Sequence, residues 1–158
     1  MKKIVFILAV LSISMLLASC GDKYHTLTVT VQTFDNDELG YFHPVTNVID
    51  GKRNDIPDAD EIKMMSNSYS NAAESIKDSF NKKNENKNYK YNMSLALYIV
   101  IDNKLWKKMK GGDFKDVLRE AYNHPEEIKV YTLHQDLEDF TIENILQIPS
   151  FKGLNTVI

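Results

Sequence analysis

Only one cysteine, Cys20, occurs in the 158 residues. A lone thiol cannot close an internal disulfide, so any domain the chain forms is held together by its core alone. Positive charge is not in excess either, with 19 Lys and Arg against 22 Asp and Glu. That argues against nucleic acid as a partner, because binding phosphates requires a concentrated basic surface. There is no Gly-x-Ser-x-Gly elbow to present a serine nucleophile. The four histidines, His25, His43, His124 and His134, do not fall at the i, i+4 or short-loop spacings of metal sites. They are read as surface or turn residues, and no metal, cofactor or catalytic set is expected. No internal repeat is visible. The apolar run at residues 4–17 is also too short to cross a bilayer, which takes about 20 apolar residues.

That short run is nonetheless informative. Lys2 and Lys3 precede it, Ser12 and Ser14 interrupt it, and small residues follow it, in the order of an export signal. The junction Leu17-Ala18-Ser19-Cys20 resembles the lipobox of bacterial lipoproteins. This resemblance implies cleavage before Cys20, which would then carry diacylglyceryl and N-acyl chains into a membrane. Two or more acyl chains convert marginal binding into stable anchoring. Gly21 rather than Asp follows the cysteine, which in such lipoproteins favours the outer membrane, facing the periplasm, over retention at the inner one. The expected organisation is a signal peptide at 1–19, a lipidated tether at 20–25 and a single globular domain at 26–158. Removing residues 1–19 takes away Lys2 and Lys3 and no acid, so the mature chain has 17 basic and 22 acidic residues and a net charge near −5.

Along the mature chain, residues 26–34 alternate. Leu27, Val29 and Val31 point one way and Thr28, Thr30 and Gln32 the other, which predicts a half-buried strand. Residues 35–40 carry the Asn, Asp and Gly of a turn, 44–49 form a shorter extended run, and 51–57 form a polar loop. Asp58 with Glu61 three residues on predicts an N-cap and capping box. Ile62, Met65, Tyr69, Ala72, Ile76 and Phe80 then make one apolar stripe of a helix. Residues 81–88 are a polar, low-complexity loop. Residues 95–101, β-branched and apolar, predict a strand buried on both faces. Leu105, Trp106 and Met109 suggest a helical turn. After Gly111-Gly112, Asp113 caps a helix with Phe114, Val117, Leu118, Ala121 and Tyr122 on one side. Residues 128–133 read as a strand, 141–147 as a short helix and 154–158 as a closing strand. The fold class is α+β: a small, mainly antiparallel sheet of four or five strands with two or three packed helices.

Three groups of residues could carry function. Asp35, Asp37 and Gly40 partly match a calcium loop, but Leu39 and Thr46 stand where ligands belong, so an acidic turn is the reading. Asp55, Asp58, Asp60 and Glu61 are expected at a helix N-terminus from the macrodipole alone. Lys104, Lys107, Lys108 and Lys110 surround Trp106 and could contact anionic lipid or an acidic partner. The plainer reading is a solvated face with one core tryptophan.

Asn36-Asp37 and Gly40 after the first strand, and Pro44-Val45 beyond them, resemble the start of TssJ proteins, the outer-membrane lipoproteins of type VI secretion systems. Asp58-Ala59-Asp60 before a helix and Ala96 followed by Trp106 sit in the order these proteins show. The resemblance implies a transthyretin-like β-sandwich, here with a helical insertion. It also implies a loop at Asp35, Asn36, Asp37, Glu38, Gly40 and Tyr41 that grips an inner-membrane partner. The expected function is therefore a non-catalytic binding or assembly subunit of an envelope complex. The alternative is an inhibitor or immunity lipoprotein that blocks an enzyme in the periplasm.

Overall fold

The computed structural model describes residues 22–36, 41–85, 89–136 and Leu146, with the backbone alone for 35, 36, 41–44 and 89. Four strands, β1 (Tyr24–Asn36), β2 (Tyr41–Arg53), β3 (Tyr89–Asp102) and β4 (Ile128–Gln135), form one antiparallel sheet in the order β2-β1-β3-β4. Three helices, α1 (Ala59–Lys83), α2 (Asn103–Lys108) and α3 (Phe114–Asn123), pack on it. This is the small α+β fold the patterning predicts.

The sheet has a core on each face. Leu27, Val29 and Val31 of β1 join Leu95, Leu97, Ile99 and Ile101 of β3 under Phe114, Val117 and Leu118 of α3. On the other face Met93, Ala96, Tyr98, Val100 and Leu133 meet Tyr69, Ala73 and Ile76 of α1. β3 serves both cores through a bulge. Gln32 pairs with Met93 and Val31 with Leu95, so Ser94 is the extra residue and the alternation changes phase there. Its hydroxyl is buried and satisfied by Thr33, Oγ to Oγ1 at 2.7 Å.

Several expectations need correction. β1 is not half-exposed: as a central strand it also buries Thr26, Thr28 and Thr30, since a threonine methyl packs where its hydroxyl finds a partner. Both hairpin strands are longer than the pattern predicts, so Asp35, Asn36 and Tyr41 are ladder rungs, while residues 37–40 lie outside the described residues. Residues 51–53, read as loop, are the end of β2, where Gly51 faces Thr26 so closely that a Cβ would lie 2.6 Å from its Oγ1. The tether shortens too, because Tyr24 and His25 already belong to β1. Among the described residues there is one sheet, so the sandwich implied by the resemblance is not found. The 25-residue amphipathic α1 covers one sheet face, and α2 and α3 cover the other.

The N-cap is as predicted, with Asp58 Oδ1 accepting from Glu61 N–H at 2.8 Å. The reciprocal half of the capping box is missing, because Glu61 instead takes a bidentate pair from Arg53 at 2.8 and 2.9 Å. Asp113 precedes α3, but its side chain makes no capping bond, and Tyr122 is 65% exposed rather than on the packed side. The predicted strand at 154–158 and the helix at 141–147 lie outside the described residues, apart from Leu146, which packs on the α3-side core.

At the hairpin end, Phe34, Phe80 and Tyr91 form an aromatic cluster with centroids 5.4 to 5.8 Å apart. The Tyr91 hydroxyl is buried with no hydrogen-bond partner among the described residues. Burial first, and the charge of Asp136 second, push its phenol up to about 12. The raised folded value means stability is complete below the unfolded pKa of about 10 and is lost as pH rises towards 12. The loss should be on the order of 2 kcal/mol. Tyr91→Phe should keep most of that stability in chemical denaturation across this window. Burial also raises Tyr69 and Tyr131, so some alkaline sensitivity remains in the variant. Equal losses in the two proteins would contradict this assignment.

Candidate functional site

The residues singled out in the sequence fall at opposite ends of the sheet. At the first end, β1 starts beside α2: Asn103 N–H donates to the Lys23 carbonyl at 2.9 Å, and its side-chain amide donates to the Asp22 carbonyl at 3.1 Å. α2 forms here because Asp102 caps it, its Oδ1 accepting from the Lys104 and Leu105 N–H groups. Leu105, Trp106 and Met109 turn towards the core, which leaves Lys104, Lys107, Lys108 and Lys110 exposed. The chain then leaves the helix through left-handed Lys110 and Gly111, at φ 55° and 68°.

Trp106 is half-buried and stacks on the His25 ring, with centroids 3.9 Å apart and planes 7° from parallel. His25 Nε2 sits 3.0 Å from Asp50 Oδ1. Beside this stack opens a cleft of about 660 Å³ lined by Asp22, His25, Lys52, Asn103, Trp106 and Lys107. The expectation of a surface or turn role for His25 is therefore corrected: it is 8% exposed, in a central strand. Its burial was illegible because Trp106 lies far along the chain.

At the second end, Asn36↔Tyr41 is the last rung of the β1–β2 ladder. At the usual rise per residue, β1 carries this hairpin end about 40 Å from its own start. Asp37, Glu38 and Gly40 lie outside the described residues, as does Cys20. Among the described residues β2 is an edge strand, and Val45, Val48 and Ile49 on it are 39 to 43% exposed, so its outer backbone groups meet no described strand.

Two arrangements escaped the sequence reading. Arg53, 14% exposed at its side chain, joins the end of β2 to α1 through Glu61 and to β3 through the Tyr98 hydroxyl at 3.3 Å. Its pKa is raised chiefly by the bond to Glu61. The other is a serine, histidine and aspartate in one chain of contacts. Ser70 Oγ lies 3.0 Å from His134 Nδ1, and His134 Nε2 lies 2.8 Å from Asp136 Oδ1. His134 is thus no plain surface histidine, since its side chain is 11% exposed. The placement of Asp136 two residues after His134 on an edge strand was the available signal.

The chemistry of this chain is weak as a nucleophilic site. With Nε2–H donating to Asp136, Nδ1 accepts from the serine, which is the reverse of the usual orientation. Ser70 also sits in the middle of α1, where neighbouring N–H groups are committed to the helix and cannot form an oxyanion hole. One turn earlier, Ser66 Oγ donates to the Leu133 carbonyl at 2.5 Å. The two serines together fasten α1 to β4.

His124, at the end of α3, contacts Glu120 at 3.4 Å and Glu127 at 2.9 Å. Among the described residues no three His, Cys, Asp or Glu side chains gather as a metal site. No helix among them is long and apolar enough to cross a membrane. No protein-family model, curated protein or solved structure matches the chain.

Proposed function

We propose that this chain is a lipid-anchored protein of the bacterial cell envelope that binds a protein partner through its β1–β2 hairpin. The observation that carries this reading is the course of β1. It begins four residues after Cys20, the candidate lipidation site, and runs about 40 Å to the hairpin end. An anchor at one end of a long central strand holds the other end away from the bilayer. The last rungs of the hairpin, Asp35, Asn36 and Tyr41, together with Asp37, Glu38 and Gly40 between its strands in sequence, would meet a partner there, and the edge of β2 extends the surface. The action is binding rather than catalysis. The resemblance to type VI secretion lipoproteins names one such partner, the periplasmic end of an inner-membrane component, with this chain at the outer membrane.

The test is crosslinking and affinity capture of the tagged protein from native membranes, beside a variant with residues 37–40 replaced by Gly and Ser. An envelope protein should be captured by the native chain and its recovery reduced at least tenfold in the variant. Capture of a soluble enzyme instead would favour the inhibitor reading. Equal recovery with both proteins would remove the hairpin as the binding site.

A further inference from the structure

We infer that the α2 end of the domain is a seat for anionic phospholipid headgroups, so that the domain lies with Lys104, Lys107 and Lys108 against the membrane that holds its anchor. This rests on the lipid-anchor reading and extends it from attachment to orientation.

The first support is proximity. Asp22 and Lys23 are hydrogen-bonded to Asn103 at the start of α2. Only Gly21 separates Asp22 from Cys20, two Cα–Cα steps that span about 7 Å at full extension. A lipid on Cys20 therefore brings α2 to the headgroup layer.

The second support is charge. The mature chain is acidic, yet this end exposes Lys23, Lys52, Lys104, Lys107 and Lys108. Fewer carboxylates lie beside them: Asp22, with one oxygen 3.6 Å from Lys52 and the other buried without a hydrogen-bond partner among the described residues, Asp50 against His25, Asp102 capping α2, and Glu127, whose carbonyl accepts from Asp102 N–H and whose side chain meets His124. The lysines outnumber these carboxylates, and a local excess of positive charge is what approach to an anionic surface requires. Each lysine near such a surface contributes about 1 kcal/mol, within a Debye length.

The third support is shape. The cleft beside α2 is lined by Lys52, Lys107 and Asn103 together with Asp22, next to the stacked His25 and Trp106 rings. Phosphate would face the cations, and the glycerol would lie on the rings. Tryptophan with basic neighbours is also suited to the interfacial zone of a bilayer. With this end seated, β1 points outward and the hairpin stands clear of the lipid.

The experiment uses the full-length lipidated protein, reconstituted in vesicles of phosphatidylcholine alone and of phosphatidylcholine with phosphatidylglycerol. Lysines are labelled with an amine-reactive reagent and read by mass spectrometry. Lys104, Lys107 and Lys108 should label about fivefold more slowly on the anionic vesicles, the factor that about 1 kcal/mol per lysine represents. The protection should fade at high salt, and Lys82 at the far end of α1 should label equally on both vesicles. Equal labelling of the α2 lysines would overturn the headgroup seat, as would protection seen only in native membranes where a protein could cover them. The same spectra report the N-terminal peptide. An unmodified Cys20 would sink the anchor reading and this inference together, whereas a lipidated Cys20 with indifferent lysines would sink this inference alone.

Discussion

Cys20→Ser should abolish lipid attachment and, with it, correct maturation. In cells fed an alkyne-bearing fatty acid, the native protein should carry the label on a mature N-terminus beginning at residue 20. The variant should carry none and should persist as the precursor retaining residues 1–19 or appear cut elsewhere. The expected effect is large because acyl anchoring is additive in methylenes: at about 0.8 kcal/mol for each one buried, a second and third chain would separate stable attachment from marginal binding. A serine hydroxyl cannot form the thioether on which those chains depend. Equal labelling of both proteins would show that the lipid sits elsewhere, and an unlabelled native protein would return Cys20 to an ordinary cysteine.

Ile99→Ala should be among the most damaging single substitutions in the domain, at about 2 to 5 kcal/mol. Ile99 is fully buried, with β1 and β4 paired on either side of it at Leu27 and Val130. The cavity would open in the middle of the sheet, under α3, where no neighbour can collapse into it. Since a domain of this size is stable by only about 5 to 15 kcal/mol, the loss should appear as a fall in Tm of roughly 10 °C or more. Val48→Thr on β2 is the matched contrast. Val48 is 43% exposed on an edge strand, and the change should stay within about 0.5 kcal/mol. A comparable loss at both positions, measured by thermal and urea denaturation, would contradict a free β2 edge and point to a covering surface there.

How much could be read beforehand depended on whether a signal was local. The stripe of α1 was legible because Ile62, Met65, Tyr69, Ala72, Ile76 and Phe80 repeat at the helical period, and all six lie on the buried or partly buried side. The apolar run of β3 was legible as a two-sided strand. The Thr residues of β1 misled, because alternation shows which residues share a face and not whether water reaches it. Glu61 was read as a capping-box partner because Asp58 is three residues away, while the side chain it actually binds, Arg53, belongs to a preceding strand whose path the pattern did not reveal.

The candidate sites divided in the same way. The lysines around Trp106 could be seen as a cluster, but not that they adjoin the start of the chain: Asn103 and Asp22 are 81 residues apart. The serine, histidine and aspartate chain was hidden for the same reason, its Ser70 and His134 lying 64 residues apart.

What the amino-acid order determined by itself was the succession of elements from β1 to β4, the α+β class and the overall acidity, since periodicity, turn residues and charge are properties of short windows or simple counts. Tertiary structure alone decided that the sheet runs β2-β1-β3-β4, that both faces of β1 are covered, and that the basic helix and the acidic hairpin stand at opposite ends of one strand. Those facts come from pairings between distant segments, whose free energy depends on the packing of the whole chain and is encoded in no single stretch of it.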